Sequence, residues 1–247
     1  MSSRGSHLLC LACVCAALTA LASPDPQPTP SQIAADKAYS AAKARYQTNV
    51  NDNALALALA SACFDRADLS NKDSVRASMA HEGIDVCRKW LQRTPDQAAA
   101  HYYLGMNLAQ LARTKTLGAL PIVKQMEKEW LAALALDPHC DYAGADRNLG
   151  LLYRDTPGFP LSIGSSSKAE QHLLGAVKWN PEYPENHLNL IETDLKANPS
   201  AVAAEYEKLR AILPAARKQF SGPQWTSAWE DWDPRLQKIQ ARLPRAP

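Results

Sequence analysis

The sequence predicts an all-α chain built as a solenoid of stacked antiparallel helix pairs, and three observations carry that expectation. Pro95, Pro138 and Pro181 stand 43 residues apart, and each closes the same pattern. A polar turn-former precedes each one (Thr94, Asp137, Asn180), and apolar pairs lie four and five residues back (Trp90-Leu91, Ala133-Leu134, Ala176-Val177). Eight residues back stands Cys87, Trp130 or Leu173, and twelve back stands Gly83, Met126 or Ala169. Self-similarity at a fixed period of this size marks a repeat array. The second observation is composition: alanine and leucine abound while glycine and aromatics are few, which favours helix over sheet. The third is periodicity, which is helical throughout, with no sustained strand-like alternation. A solenoid offers a long binding surface and carries no catalytic apparatus as a rule, so the chain reads first as a binder.

The elements follow in order. Residues 1–22 have the plan of a secretory signal: Arg4 and His7, the apolar stretch Leu8 to Leu21, and small residues through Ala22. That stretch is shorter than the ~20 residues a bilayer span needs, and no second apolar run follows. Export with cleavage after Ala22 is expected. Lipidation at Cys10, Cys13 or Cys15 is the competing reading, although Cys10 stands where a lipobox before Cys13 wants an aliphatic residue. Residues 23–31, rich in proline, read as an extended tether. Residues 32–220 read as the repeat domain, an N-terminal helix followed by about four helix pairs. The first helix runs from Gln32 to about Val50, and Asn51-Asp52-Asn53 breaks it. Leu55–Phe64 opens the next helix, and its partner ends at Trp90-Leu91. The second pair spans 97–110 and 120–136, with Pro121 in a first turn.

The third pair spans 143–154 and 167–179, separated by the breaker-rich turn from Asp155 to Gly164. Ser166 or Ser167 is the expected N-cap, and Ser167 with Glu170 forms a capping-box match. The fourth pair spans 182–196 and 200–218. Gly222-Pro223 closes the array, and residues 221–247 form a C-terminal segment. There Trp225, Trp229 and Trp232 recur at i, i+4 and i+7, read as a terminal cap that covers the last repeat, with a partner-docking face as the alternative.

Charge and cysteine content narrow the function. The net charge of +2 comes without a basic run, so nucleic acid is not an expected partner. Three cysteines remain beyond the signal, Cys63, Cys87 and Cys140, too few and too widely spaced for a disulfide framework or zinc site. Cys87 reads as a small core residue. A Cys63–Cys87 bridge between neighbouring helices is the alternative.

The repeat pattern resembles the tetratricopeptide repeat, whose consensus is W-x2-L-G-x2-Y, then A-x3-F, then P. Leu149-Gly150-x2-Tyr153, Ala169-x3-Leu173 and Pro181 match it, as do Leu104-Gly105-x2-Leu108, Met126-x3-Trp130 and Pro138. His101 and Asp146 replace the leading tryptophan, and the period is longer than the ordinary 34 residues. The resemblance implies a right-handed solenoid. HEAT and armadillo repeats are the architectural rivals by period. Asp137-Pro138-x2-Asp141-x2-Gly144 with Arg147-x-Leu149-Gly150-x-Leu152-Tyr153, and the turn from Pro157 to Gly164, resemble the TatT family. Its members are tetratricopeptide-like T components of TRAP transporters. That resemblance implies a periplasmic protein that associates with a solute-binding partner, with a homo-oligomer around a lined cavity as a further implication; a clear lipobox is missing here.

No constellation points to catalysis. Ser165-x2-Lys168 lacks the companion motifs of serine acyl-enzymes. His81-Glu82 does not continue as a zinc-protease motif, and His139-Cys140-Asp141 are sequence neighbours that point apart. The chain is therefore expected to be no enzyme, to hold no metal or cofactor, and to bind a protein partner. Transfer of repeat phase from the leucine of each Leu-Gly places Tyr102, Arg147 and Arg154 on the concave face. Glu192 and Lys196 extend that face in the fourth pair. A carrier of small apolar ligands is the alternative function, and it would need a closed pocket of leucine and aromatic side chains.

Overall fold

The computed structural model describes residues 27–115, 117–194 and 199–243. The signal segment, the start of the tether and Lys196 lie outside the described residues. A leading helix, α1 (Pro30–Thr48), is followed by four pairs. These are α2 (Asn53–Asp68) with α3 (Asp73–Arg93), α4 (Ala98–Arg113) with α5 (Leu120–Leu136), α6 (Gly144–Asp155) with α7 (Ser166–Trp179), and α8 (Pro184–Asp194) with α9 (Pro199–Gln219). A 3-10 turn, Pro223–Trp225, leads into α10 (Thr226–Arg242). Among the described residues there is no strand; a lone bridge joins Gly158 to Gly164. Within the stack α2 packs on α4 and α6 on α8, while each second helix also packs on the next first helix. The first helices thus form one inner row and the second helices an outer row.

The evenly spaced prolines sit in equivalent places. Thr94, Asp137 and Asn180 are the C-caps of α3, α5 and α7, with φ −138°, −155° and −135° and ψ 87°, 103° and 76°. In each case the cap N–H donates to the carbonyl four residues back: Trp90, Ala133 and Ala176. Proline forces its predecessor out of the helical region, so one residue type ends three helices at one register. The glycine of each Leu-Gly also acts alike. A Cβ on Gly150 would lie 2.6 Å from Leu173 Cγ, and one on Gly105 would overlap the Trp130 ring, so helix α7 or α5 approaches only because the side chain is missing.

The residues replacing the consensus tryptophan form a polar seam instead. His101 Nδ1 lies 2.6 Å from Glu129, and His187 Nδ1 lies 2.5 Å from Glu205, each pair joining first helix to second. Their Nε2 atoms face the carbonyls of Pro95 at 3.0 Å and Pro181 at 2.7 Å. The middle pair swaps the types: Asp146 on α6 meets His172 on α7 at 2.7 Å. His101 and His187 therefore clip each pair to itself and to the preceding proline turn.

Several boundaries differ from the sequence reading. Helix α1 begins at Pro30 and not Gln32, because Thr29 and Gln32 form a capping box ahead of a first-turn proline, which shortens the tether. Helix α2 reaches back to Asn53, capped by Asp52, whose carboxylate accepts from Ala54 and Leu55. Ser165 caps α7 by accepting from Lys168 N, so neither Ser166 nor Ser167 does so. Cys63 and Cys87 are both buried and free, not bridged, and burial pushes the Cys63 thiol up to about 12.

Candidate functional site

The junction between α5 and α6 differs from the other two. It holds three consecutive left-handed residues, Asp141, Tyr142 and Ala143, at φ 52°, 56° and 61°. Such a conformation costs about 1–2 kcal/mol per non-glycine residue, so the turn needs external support. Arg147, on the first turns of α6, supplies it. Its Nη1 donates to the Tyr142 carbonyl at 3.1 Å and to Asn186 Oδ1 at 3.1 Å, and its Nη2 meets Asp141 Oδ2 at 3.3 Å. The guanidinium also lies over the Tyr183 ring at 5.0 Å. Asn186 completes the hold, donating to the carbonyls of Tyr142, Ala176 and Asn180. Tyr102 reaches in from α4, its hydroxyl donating to Asp141 Oδ2 at 2.6 Å.

The hub is closed on its inner side, with Tyr102 1% and Arg147 5% exposed, while Asp141 stays half-buried at its mouth. Burial opposes the Arg147 charge, but Glu185, Tyr102, Tyr183 and Asp141 more than offset that and hold its pKa above the ordinary value. Burial, then Asp141, raises the Tyr102 phenol, which stays neutral. Tyr102, Arg147 and Asn186, cut off from solvent and bonded together through the turn, hold α4, α6 and α8 in one arrangement. The hub is a keystone of the inner row.

Beside it lies a groove of about 400 Å³, lined by Ala54, Leu57, Ala58 and Ser61 of α2, Ala99 and Tyr103 of α4, and Cys140 and Asp141 of the left-handed turn. Small side chains spaced along one face of α2 keep its floor low, and Tyr103 forms one wall. Burial, then Asp141, raises the Tyr103 phenol. One turn beyond Ser61 on the same face of α2, just outside the groove lining, stands Asp65, its side chain solvent-exposed with protein packed around it. That surrounding protein pushes its carboxyl up to about 6, and the charges that reach it, Asp68 and Asp141, are both negative.

The predicted site residues are thus divided. Tyr102 and Arg147 come together, but inside the hub and not on a solvent-lined concave wall. Arg154 is at the edge of α6, paired with Asp155 at 2.6 Å and reaching Thr193 of α8 at 3.3 Å. Glu192 faces α10, where Arg235 meets it through two bonds of 2.8 Å. The physical reason is phase. On a helix one residue is about 100° of rotation, and on α4 it is Tyr103, one position before the Leu-Gly leucine, that lines the groove, where two was expected. The sequence reading missed Tyr103 and Asp65; the run of small residues Ala54, Ala58 and Ser61 was the available signal. His139 and Asp141 point apart, with His139 edge-on to Trp179 at 5.4 Å and Asp141 in the hub, whereas Cys140 and Asp141 both border the groove.

Stacked helix pairs with an inner row, an outer row and proline-ended second helices define an all-α tetratricopeptide-like solenoid. The crystal structure of TTC0263, a thermophilic TPR protein in Thermus thermophilus, is similar in fold: TM-score 0.54, 18% identity, 84% of this chain and 91% of that one. A second solved structure, the MamA RS-1 ArsTM double mutant, matches at TM-score 0.46 and 21% identity over 74% of this chain and 88% of that one. No family model and no curated protein matches the chain.

Proposed function

We propose that the protein is an exported, non-enzymatic scaffold that docks a protein partner in the groove between α2, α4 and the left-handed turn. The observation that carries this reading is the groove itself: a low floor of small side chains and an aromatic wall, beside a buried hub that holds α4 and the left-handed turn. Helices already ordered lose little entropy on association, so such a surface is suited to docking. The groove is open to solvent and has Asp141 in its lining, where a carrier of small apolar ligands would need a closed pocket of leucine and aromatic side chains. The resemblance to the TatT family supports a finer version. In it the protein is periplasmic and accessory to solute uptake, and the docked partner is a solute-binding protein.

The test compares recovery from periplasmic extract by the full chain, by Ala58→Trp, which fills the groove floor, and by Lys128→Glu on the outer row. A solute-binding protein recovered with wild type and Lys128→Glu but lost with Ala58→Trp is the expected result. Equal recovery with Ala58→Trp, in a variant whose circular dichroism and melting match wild type, would reject the groove as the docking surface.

A further inference from the structure

The chemistry of the groove narrows the partner, if the docking reading above holds. We infer that the segment it takes is a protein strand or loop bearing a lysine or arginine, seated with its ammonium or guanidinium group against Asp65 and its small apolar neighbours on Leu57, Ala58 and Tyr103.

Three observations support this. The carboxylates near the groove are unequally served. Asp68 is met by Arg113 at 2.6 Å and Gln110 at 3.0 Å, and Asp141 by Arg147 and Tyr102. Among the described residues, the charged groups that bear on Asp65 are carboxylates alone. A carboxylate left beside two others is stabilised by a cation brought from outside. Second, charge beside the groove is uneven. On the two groove helices the cations are already taken, Arg66 by Asp36 and Arg113 by Asp68, which leaves Asp65 as the unbalanced negative charge there. Excess charge of one sign in a concavity concentrates field lines and steers a partner of the opposite sign. Third, the floor is apolar but shallow, so it fits alanine-sized or leucine-sized side chains beside the cation.

Acid should release such a partner. Asp65 faces Asp68 on its own helix, Asp141 on the turn and Tyr103 on α4, and protonation near its raised value removes the charge the ligand needs. The effect is expected on lowering the pH from about 7.5 to about 5.

The experiment uses the full chain and dye-labelled peptides, one repeating alanine, leucine and lysine, the other with glutamate for lysine, followed by fluorescence polarisation. The lysine peptide should bind at least tenfold more tightly than the glutamate peptide. Asp65→Asn should weaken the lysine peptide about two- to fivefold and abolish the pH effect, since a solvent-exposed ion pair contributes on that scale. Asp65→Lys should weaken it further. Equal binding of both peptides, no binding of either, or no change on Asp65→Asn overturns the inference. If Ala58→Trp still blocks recovery of the partner in those cases, the groove survives and only the cation requirement falls. Insensitivity to Ala58→Trp rejects both. Self-association that Ala58→Trp abolishes would identify a second copy as the occupant and also overturn the inference.

Discussion

The two ends of the stack fill their interiors with different side chains. From α1 to α7 the shared core is largely alanine, leucine and thiol: Ala56, Ala60, Cys63, Ala67, Ala80, Cys87, Ala100 and Ala133 have no exposed surface. Large rings enter at intervals, as Trp90, Tyr102 and Trp130. Beyond α7 the core turns aromatic. Tyr183 stacks on Tyr142 at 4.7 Å, Phe220 and Trp232 meet Tyr183 edge-on at 5.3 Å each, and Trp229 meets Trp232 at 4.8 Å. An interior pair is covered on both sides by its neighbours, so close helix approach through alanine is enough. The last pair has one helix, α10, to shield it, and bulky rings supply the area that a further repeat would have covered.

The sharpest way to break this contrast is at the boundary between the two cores. Arg147→Ala leaves Asp141 without its cation, Asn186 Oδ1 without that donor and the left-handed turn without support. Denaturant unfolding should show a loss of about 3–5 kcal/mol; a loss below about 1 kcal/mol would deny the hub its keystone role. Trp232→Ala should cost nearly as much, about 3–4 kcal/mol, but locally. Hydrogen exchange should then open α8 and α10 first, with α2 to α5 still protected; uniform loss across both ends would erase the distinction drawn above. Gly105→Ala probes the small-residue end. The added methyl collides with Trp130, and a loss of about 1–3 kcal/mol is expected from overpacking.

Acid sharpens the comparison further. Burial opposes ionisation of Glu205, but hydrogen bonds from His187 and Lys208 outweigh it, so its carboxyl is held below its ordinary 4.5. A carboxyl depressed on folding adds stability that is complete above the ordinary value and is lost as pH falls through the folded one. Wild type should therefore lose more stability than Glu205→Gln between about pH 5 and about pH 3, with melting temperature as the measurement. The smallest effect belongs to Asp65→Asn. Its carboxyl is raised on folding, so the ionised form opposes folding above about pH 6, and the variant should melt slightly higher at about pH 7 with its helix content unchanged.

The stack was legible because it rests on local rules. A proline fixes its predecessor, and a glycine between two helices permits contact, so Pro95, Pro138, Pro181, Gly105 and Gly150 could be placed without coordinates. The inner face was harder, because an error of one residue turns a helix by about 100° and sends Tyr102 into the hub where Tyr103 faces the groove. Arg147 and Glu192 were read as free charges because sequence does not show that Asn186, 39 residues away, or Arg235, 43 residues away, will meet them. The left-handed turn could not be foreseen either: Asp141, Tyr142 and Ala143 include no glycine, and only tertiary bonds hold them there.

The sheltered sulfur atoms have a consequence for how the chain matures. Attack on a disulfide requires the thiolate, and burial keeps Cys63, Cys87 and Cys140 protonated well beyond neutral pH. Cys63 and Cys87 cannot readily join mixed disulfides once the helices close over them, while Cys140 stays partly exposed at the groove. Closing the stack over Cys63 and Cys87 thus calls for no oxidant, and the core they fill is the same whether glutathione around it is reduced or oxidised.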